Sequence, residues 1–296
     1  MVRYFIIFIL VVGYVVVAPA CDICACNMGG QLQGLQQLIH RSSIAMSFSR
    51  AHYSSNHEAG VQDAFHTMNL NGTYFLNQSW KLGVQLPYVI NQRSKPDETI
   101  DISGFGDVQI NGHLVKTSEM GIAQDWKLIT DLGMGIKLPT GHFDAPVSGK
   151  NLPDNLEVGN GHYALALTPG FGLQRGNWGS WIAGNYLYNF EKKSSYQFGN
   201  QWGMQGLVYF DNQTENDWRW IPAVGLNWEY AENNRNVSGF DVADTGGWGL
   251  LLPLMMNVRW KDCMFQCSYS IPLNQAYAGG GSHLNNKWNL QLSLFL

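Results

Sequence analysis

The chain has 296 residues and a formal net charge of −4, from 18 Lys+Arg against 22 Asp+Glu. Only 14% of residues are charged while 13% are aromatic, which excludes a disordered chain, and no basic block is present to make nucleic acid the main partner. Charge is too sparse for an ordinary soluble surface, yet mean hydropathy sits slightly on the polar side, which argues against a bundle of membrane helices.

Residues 1–20 predict a secretory signal peptide. Arg3 gives a positive start, Tyr4 to Val17 an apolar run, and Ala18-Pro19-Ala20 an A-x-A cleavage pattern before Cys21. A retained membrane helix is the competing reading, but the run is shorter than the ~20 residues a span needs. Cys21 also stands where a lipoprotein signal would place its acylated residue, although Ala18 fills the position normally held by Leu.

Residues 21–43 form a distinct N-terminal segment, periplasmic in the predicted topology. Cys21, Cys24 and Cys26 make a C-x2-C-x-C pattern. Three such thiols can bind a soft metal, copper or zinc. Two of them can instead form a disulfide in an oxidising compartment, or Cys21 can carry the acyl group. Leu32, Leu35 and Leu38, with Ile39, can line one face of a short helix. Such a helix would either plug a lumen from below or trail as a tail.

From residue 44 to 296 the recurring period is two. Trp80, Leu82, Val84, Leu86, Tyr88 and Ile90 alternate with Lys81, Gly83, Gln85, Pro87, Val89 and Asn91. The same alternation recurs in 126–138, 218–230, 248–260 and 288–296, so each segment has one apolar and one mostly polar face. Twelve segments are expected: 44–53, 64–77, 80–92, 105–117, 124–138, 162–174, 177–191, 195–211, 217–231, 245–260, 262–275 and 286–296. Most exceed the ~5–6 residues of globular strands. Aromatics stand at both ends of the apolar stripes, as in Trp80 and Tyr88, Trp218 and Tyr230, and Trp248 and Trp260. Connections after odd strands are mostly long and polar, and those after even strands mostly short. These features predict an all-β, antiparallel up-and-down transmembrane barrel of about twelve strands with both termini periplasmic. A large soluble β-sandwich is the alternative.

The strand pattern puts Lys81, Asp107, His113, Lys127, Asp131, Lys137, Arg219, Glu229 and Arg259 on the lumen side. Mixed charges there can pair across a narrow interior or set the selectivity of a polar pore. Strand six offers Ala164, Ala166, Thr168, Gly170 and Gly172 on the same side, which leaves room beside it. Cys267 shares a lipid-facing side with Phe265, Tyr269 and Ile271. His57, His142 and His283 fall on loops, His162 at the edge of one, and none has close ligand spacing. No G-x-S-x-G, H-E-x-x-H or Walker pattern occurs, and His66 on an apolar face has no serine beside it to make a nucleophile–base pair. No enzyme is expected.

Three glycine-rich blocks carry a resemblance: Gly104-Phe105-Gly106-Asp107-Val108, preceded by Gly83 to Pro87; Leu132 to Gly141, ending Leu138-Pro139-Thr140-Gly141; and Leu167 to Gly172. Over residues 64 to 296 the chain resembles the MetA-pathway of phenol degradation family of outer-membrane transporters. The opening Cys21-Asp22-Ile23-Cys24-Ala25-Cys26 is similar to that of Bacteroidetes-type barrels. The resemblance implies a bacterial outer-membrane channel surrounded by lipid, passing a small solute of apolar or aromatic kind, without catalytic residues. Read physically, the same motifs are turn chemistry, with Asp107 facing the lumen and Pro139 ending a strand. The alternative function is a non-transporting barrel that anchors a thiol or metal site at Cys21, Cys24 and Cys26, or that serves as a subunit of a membrane assembly.

Overall fold

A computed structural model describes residues 35, 39–119, 126–143, 156–190, 196–214, 217–236 and 238–296. The expected signal peptide and the Cys21, Cys24 and Cys26 motif lie outside them. The strands are β1 Ser43–Ser55, β2 Gln62–Phe75, β3 Trp80–Ser94, β4 Thr99–Phe105, β5 Val108–Glu119, β6 Trp126–Leu138 and β7 Ala164–Arg175. They continue as β8 Trp178–Asn189, β9 Gln201–Phe210, β10 Asn212–Gln213, β11 Trp218–Ala231, β12 Gly247–Trp260, β13 Cys263–Tyr277 and β14 Ser282–Phe295.

All pairings are antiparallel between neighbours. β1 closes the sheet by pairing with β14, from Ser43 opposite Phe295 to Ser55 opposite Ser282. β4 and β5 are two pieces of one stave, split at Gly106-Asp107, because β3 pairs with β4 above and with β5 below. The short β10 belongs to the hairpin between β9 and β11. Fourteen strands less these two interruptions leave a closed barrel of twelve staves. A single closed sheet also rules out the two-layer sandwich.

Two expected connections are shorter than read from sequence. Residues Arg93 to Gly104 are not a polar loop: Thr99–Phe105 pairs with Tyr88 to Ser94 and lengthens the β3 hairpin. The Ala276 to Asn285 connection shrinks to a tight turn at Ala278–Gly280. In both cases polar residues continue strands beyond the apolar band, so alternation fades before the ladder ends.

The barrel is apolar outside and polar inside. Ile44, Met46, Leu70, Leu82, Val84, Leu132, Met134, Ile182, Val208, Leu254 and Leu292 are all exposed on the outer face. Asn69, Asn71, Gln85, Gln109, Asn185, Gln205, Asn257 and Gln291 are buried on the inner one. Water would not tolerate so much contiguous outward apolar surface, whereas a bilayer favours it. The turns after β2, β7 and β12 lie at one end, the turn end, together with Ser43 and Phe295, and the Ala278–Gly280 turn lies at the other; Gly176, at φ 54°, lets β7 turn into β8. Trp178 packs on Phe210 at 4.9 Å and Trp218 on Trp260 at 5.9 Å around this turn end. At the opposite, loop end, Tyr88 meets Phe105 at 5.4 Å and Tyr186 meets Trp202 at 4.0 Å. Rings at both rims of an apolar band are the arrangement expected at membrane interfaces. Cys263 and Cys267 are exposed on the same outer face.

Candidate functional site

Among the described residues, the lumen is where polar side chains are buried. Its charges are matched in pairs. Lys81 Nζ lies 2.5 Å from one Asp131 oxygen and His113 Nδ1 2.7 Å from the other. Lys137 stands 3.6 Å from Asp107. Glu229 accepts from the Lys287 ammonium at 2.7 Å and from the Tyr277 hydroxyl at 2.5 Å. Arg93 grips Asp63 with two bonds of 2.7 and 2.8 Å, and Arg219 grips Asp211 in the same forked way.

The nine charged or titratable residues read from sequence therefore form several separate pairs and no single cluster. Lys127 is exposed at the turn end of β6. Arg259 sits at the turn-end rim, donating to the Lys261 carbonyl at 2.9 Å and lying 5.1 Å over the Phe295 ring. The partners Asp63, Arg93, Asp211, Tyr277 and Lys287 were not among the sequence candidates. Asp63 and Arg93 fall one residue outside the segments 64–77 and 80–92, where the apolar face gives no further signal. Lys287 shares the polar face of 286–296 with Asn289, Gln291 and Ser293, so its lumen position was readable.

Two leucines narrow this lumen. Toward the turn end, Leu35 is only 2% exposed and packs in a cluster of inward-facing residues that includes Ile129, Trp181, Leu207, Tyr209, Ile221 and Met255. It does not belong to the barrel wall, which begins at Ser43. Trp181 occupies the space expected beside the segment 162–174, which is β7: a Cβ on Gly170 would lie 2.5 Å from its ring and one on Gly172 2.9 Å. The glycines make room for an indole, so the expected vacancy is filled. His40, also ahead of β1, is held below the ordinary imidazole range by burial and then by the charge of Lys81.

Toward the loop end, Leu156 is fully buried among Tyr53, Phe65, Leu251, Tyr277 and Leu284. It comes from the β6–β7 connection, whose described pieces are 139–143 and 156–163. That connection was expected to be an outer loop, and Leu156 instead reaches into the lumen. The reason lies in the glycine motifs. Asp107 accepts from Gly141 N at 3.0 Å and from Asn160 N at 2.9 Å. Thr140 Oγ1 accepts from Val108 N at 2.9 Å and donates to Gly106 O at 3.1 Å. Asn91 Nδ2 donates to the carbonyls of Leu156 at 3.0 Å and Glu157 at 3.3 Å. Gly159 N donates to His142 O at 3.0 Å. The two backbones approach so closely that a Cβ on Gly159 would stand 2.6 Å from Gly141. The first two sequence blocks are thus one junction that turns a loop inward.

Between the leucines lies a cavity of about 150 Å³. Ser49, Thr67, Asn91, Gln205, Asn227, Gln266 and Asn289 line it, with Tyr53, Phe65, Val89 and Met255. Among the described residues there is no group of three or more His, Cys, Asp or Glu placed to hold a metal ion.

No family model matches the chain, and no curated protein is similar in sequence. The resemblance to the MetA-pathway family thus rests on its motifs. Solved structures are similar in fold. The COG4313 outer membrane channel from Pseudomonas putida F1 superposes with a TM-score of 0.66 at 15% identity, covering 87% of this chain and 96% of that one. The beta domain of the Bordetella autotransporter BrkA gives a TM-score of 0.52 at 11% identity, covering 87% and 100%. At such identities the likeness concerns the fold alone. One of these proteins is named as a channel and the other as part of an autotransporter, so the fold does not choose between those roles.

Proposed function

We propose that this chain is a bacterial outer-membrane channel for a small solute, with both termini periplasmic and the lumen closed at rest by Leu35 and Leu156. The observation that carries this reading is the interior cavity of about 150 Å³, lined by polar and aromatic side chains, inside a wall whose outer face is apolar. A barrel that served only as an anchor has no need of a polar interior cavity. The internally paired charges leave the interior close to neutral and so favour neither strong anion nor strong cation selectivity. Hydrophobic constrictions gate by dewetting, and two apolar clusters around single leucines are suited to that role.

Planar-bilayer conductance tests the proposal, with the mature chain compared to one lacking residues 21–38. Low conductance in the first and steady conductance in the second is the expected result. A folded barrel that stays silent in both would sink the channel reading. It would favour the anchoring alternative at Cys21, Cys24 and Cys26, for which metal content and recovered partners are the direct measurements.

A further inference from the structure

The wall of the space between Leu35 and Leu156 has a particular chemistry: neutral carboxamides whose oxygens lack donors. Asn91 Oδ1, Gln205 Oε1, Asn227 Oδ1 and Gln266 Oε1 are buried, and none has a hydrogen-bond partner among the described residues. All four residues line the same space. For Asn91 the amide orientation is fixed, because its Nδ2 already serves the carbonyls of Leu156 and Glu157. Of the charged residues at the wall, Lys287 is held by Glu229 at 2.7 Å, Glu157 is engaged, and Arg50 shares the outward-facing parity of Ile44 and Met46.

From this lining we infer that the channel carries a neutral, hydroxyl-rich solute of sugar size. The inference rests on the channel reading and names its substrate class. Buried acceptors must be satisfied by water or by whatever replaces it. An apolar or aromatic solute, the kind implied by the sequence resemblance, would displace that water and return no hydrogen bond. An anion would meet the Asn91 carbonyl oxygen, whose orientation is fixed, and a cation would find the carboxylates already paired. A hydroxyl group is donor and acceptor at once, so it satisfies a carboxamide in either orientation. Tyr53 and Phe65, edge to face at 5.8 Å, add flat apolar surface on the same wall for the C–H face of a ring. The result is a few placed polar groups beside aromatic surface, the usual make-up of a specific small-molecule site.

The test is calorimetric titration of the purified mature barrel with glucose and sucrose, set against phenol and benzoate. It is paired with block of single-channel current by the same four compounds in the chain lacking residues 21–38. Saturable sugar binding, at least about tenfold tighter than that of phenol or benzoate, is expected. Asn227→Leu and Gln266→Leu should each weaken it about tenfold, and Asn227→Gln should retain it; heat-modifiable gel migration confirms that each variant is folded. Phenol or benzoate binding as well as the sugars, or sugar binding unchanged in both leucine variants, would overturn the inference. Absence of conductance in the truncated chain would overturn the channel reading instead, while the titration would still decide the solute class.

Discussion

Leu35 and Leu156 narrow opposite ends of one lumen, and the described residues restrain them differently. Leu35 sits in an apolar ring with Trp181 and Ile221, and its packing is the observed restraint. Leu156 has an apolar ring of its own, but its backbone is also bound to Asn91, and the turn beside it is bound to Asp107 through Gly141 and Asn160. A stopper held mainly by packing leaves when its side chain is shortened. Backbone pins make one that stays. On the channel reading, this contrast predicts that the turn-end stopper is the more easily displaced of the two.

The largest expected effect follows directly. Burial of one leucine is worth about 1.5–3 kcal/mol, which is roughly a ten- to hundredfold change in a closed-to-open equilibrium. Leu35→Ser should therefore raise mean single-channel conductance about tenfold or more. Leu156→Ser should change it less than about threefold, because the polar pins keep the loop in place. Equal effects of the two substitutions, recorded in the same bilayers, would erase the distinction between the two stoppers.

The next effect comes from removing the pins. Asp107→Ala deletes two hydrogen bonds to a carboxylate, each in the range of about 1.5–3 kcal/mol for charged partners. Asn91 still holds Leu156 and Glu157, so only part of this should reach the pore. A rise of roughly three- to tenfold is expected for Leu156→Ser once Asp107→Ala is present, well above the sum of the single changes. Simple additivity in this double-mutant cycle would show that Asp107 does not hold the loop.

Gly159→Ala probes the same junction with a smaller change. The added methyl would approach the Gly141 backbone to 2.6 Å, and neither strand of the junction is a flexible side chain that can yield. The loop should shift, giving noisier current and about a twofold change in mean conductance by the modest cost of overpacking one methyl. Unaltered noise and conductance would mean that the junction has more slack than its backbone spacing indicates.

The comparison also explains what the sequence disclosed. The barrel wall was legible because a strand in lipid needs strict alternation, and residues such as Trp80 to Ile90 advertise it. Lumen-facing Lys81, Asp107, Asp131 and Glu229 were legible for the same reason: they interrupt nothing on the apolar face. The interior arrangement was not legible. Leu156 is an apolar residue in a polar loop, and only the three-dimensional meeting of Asp107 with Gly141 and Asn160 directs it inward. Trp181 has the composition of a rim aromatic, and its inward position depends on Gly170 and Gly172, which lie on the neighbouring strand. Asp63 and Arg93 pair beyond the apolar band, where alternation no longer marks the strand.

The smallest expected effect belongs to the outer wall, which on this account has no part in gating. Cys263 and Cys267 face outward with Phe265 and Tyr269, and Cys267 stands opposite Met256 and Leu290 in the middle of apolar strand faces. Ser at either position replaces a small outward group without touching Leu35, Leu156 or any lumen pair, so conductance should stay within measurement error. Accessibility gives the same argument a positive sign. In a chain whose Cys21, Cys24 and Cys26 are changed to Ser, Cys267 should react in a bilayer with a lipid-soluble maleimide and resist a charged thiol reagent added from either side. Ready labelling by the charged reagent would mean that β13 meets water at Cys267. The apolar face would then cover another surface than lipid, and a gate confined to the two leucines would no longer follow from the fold.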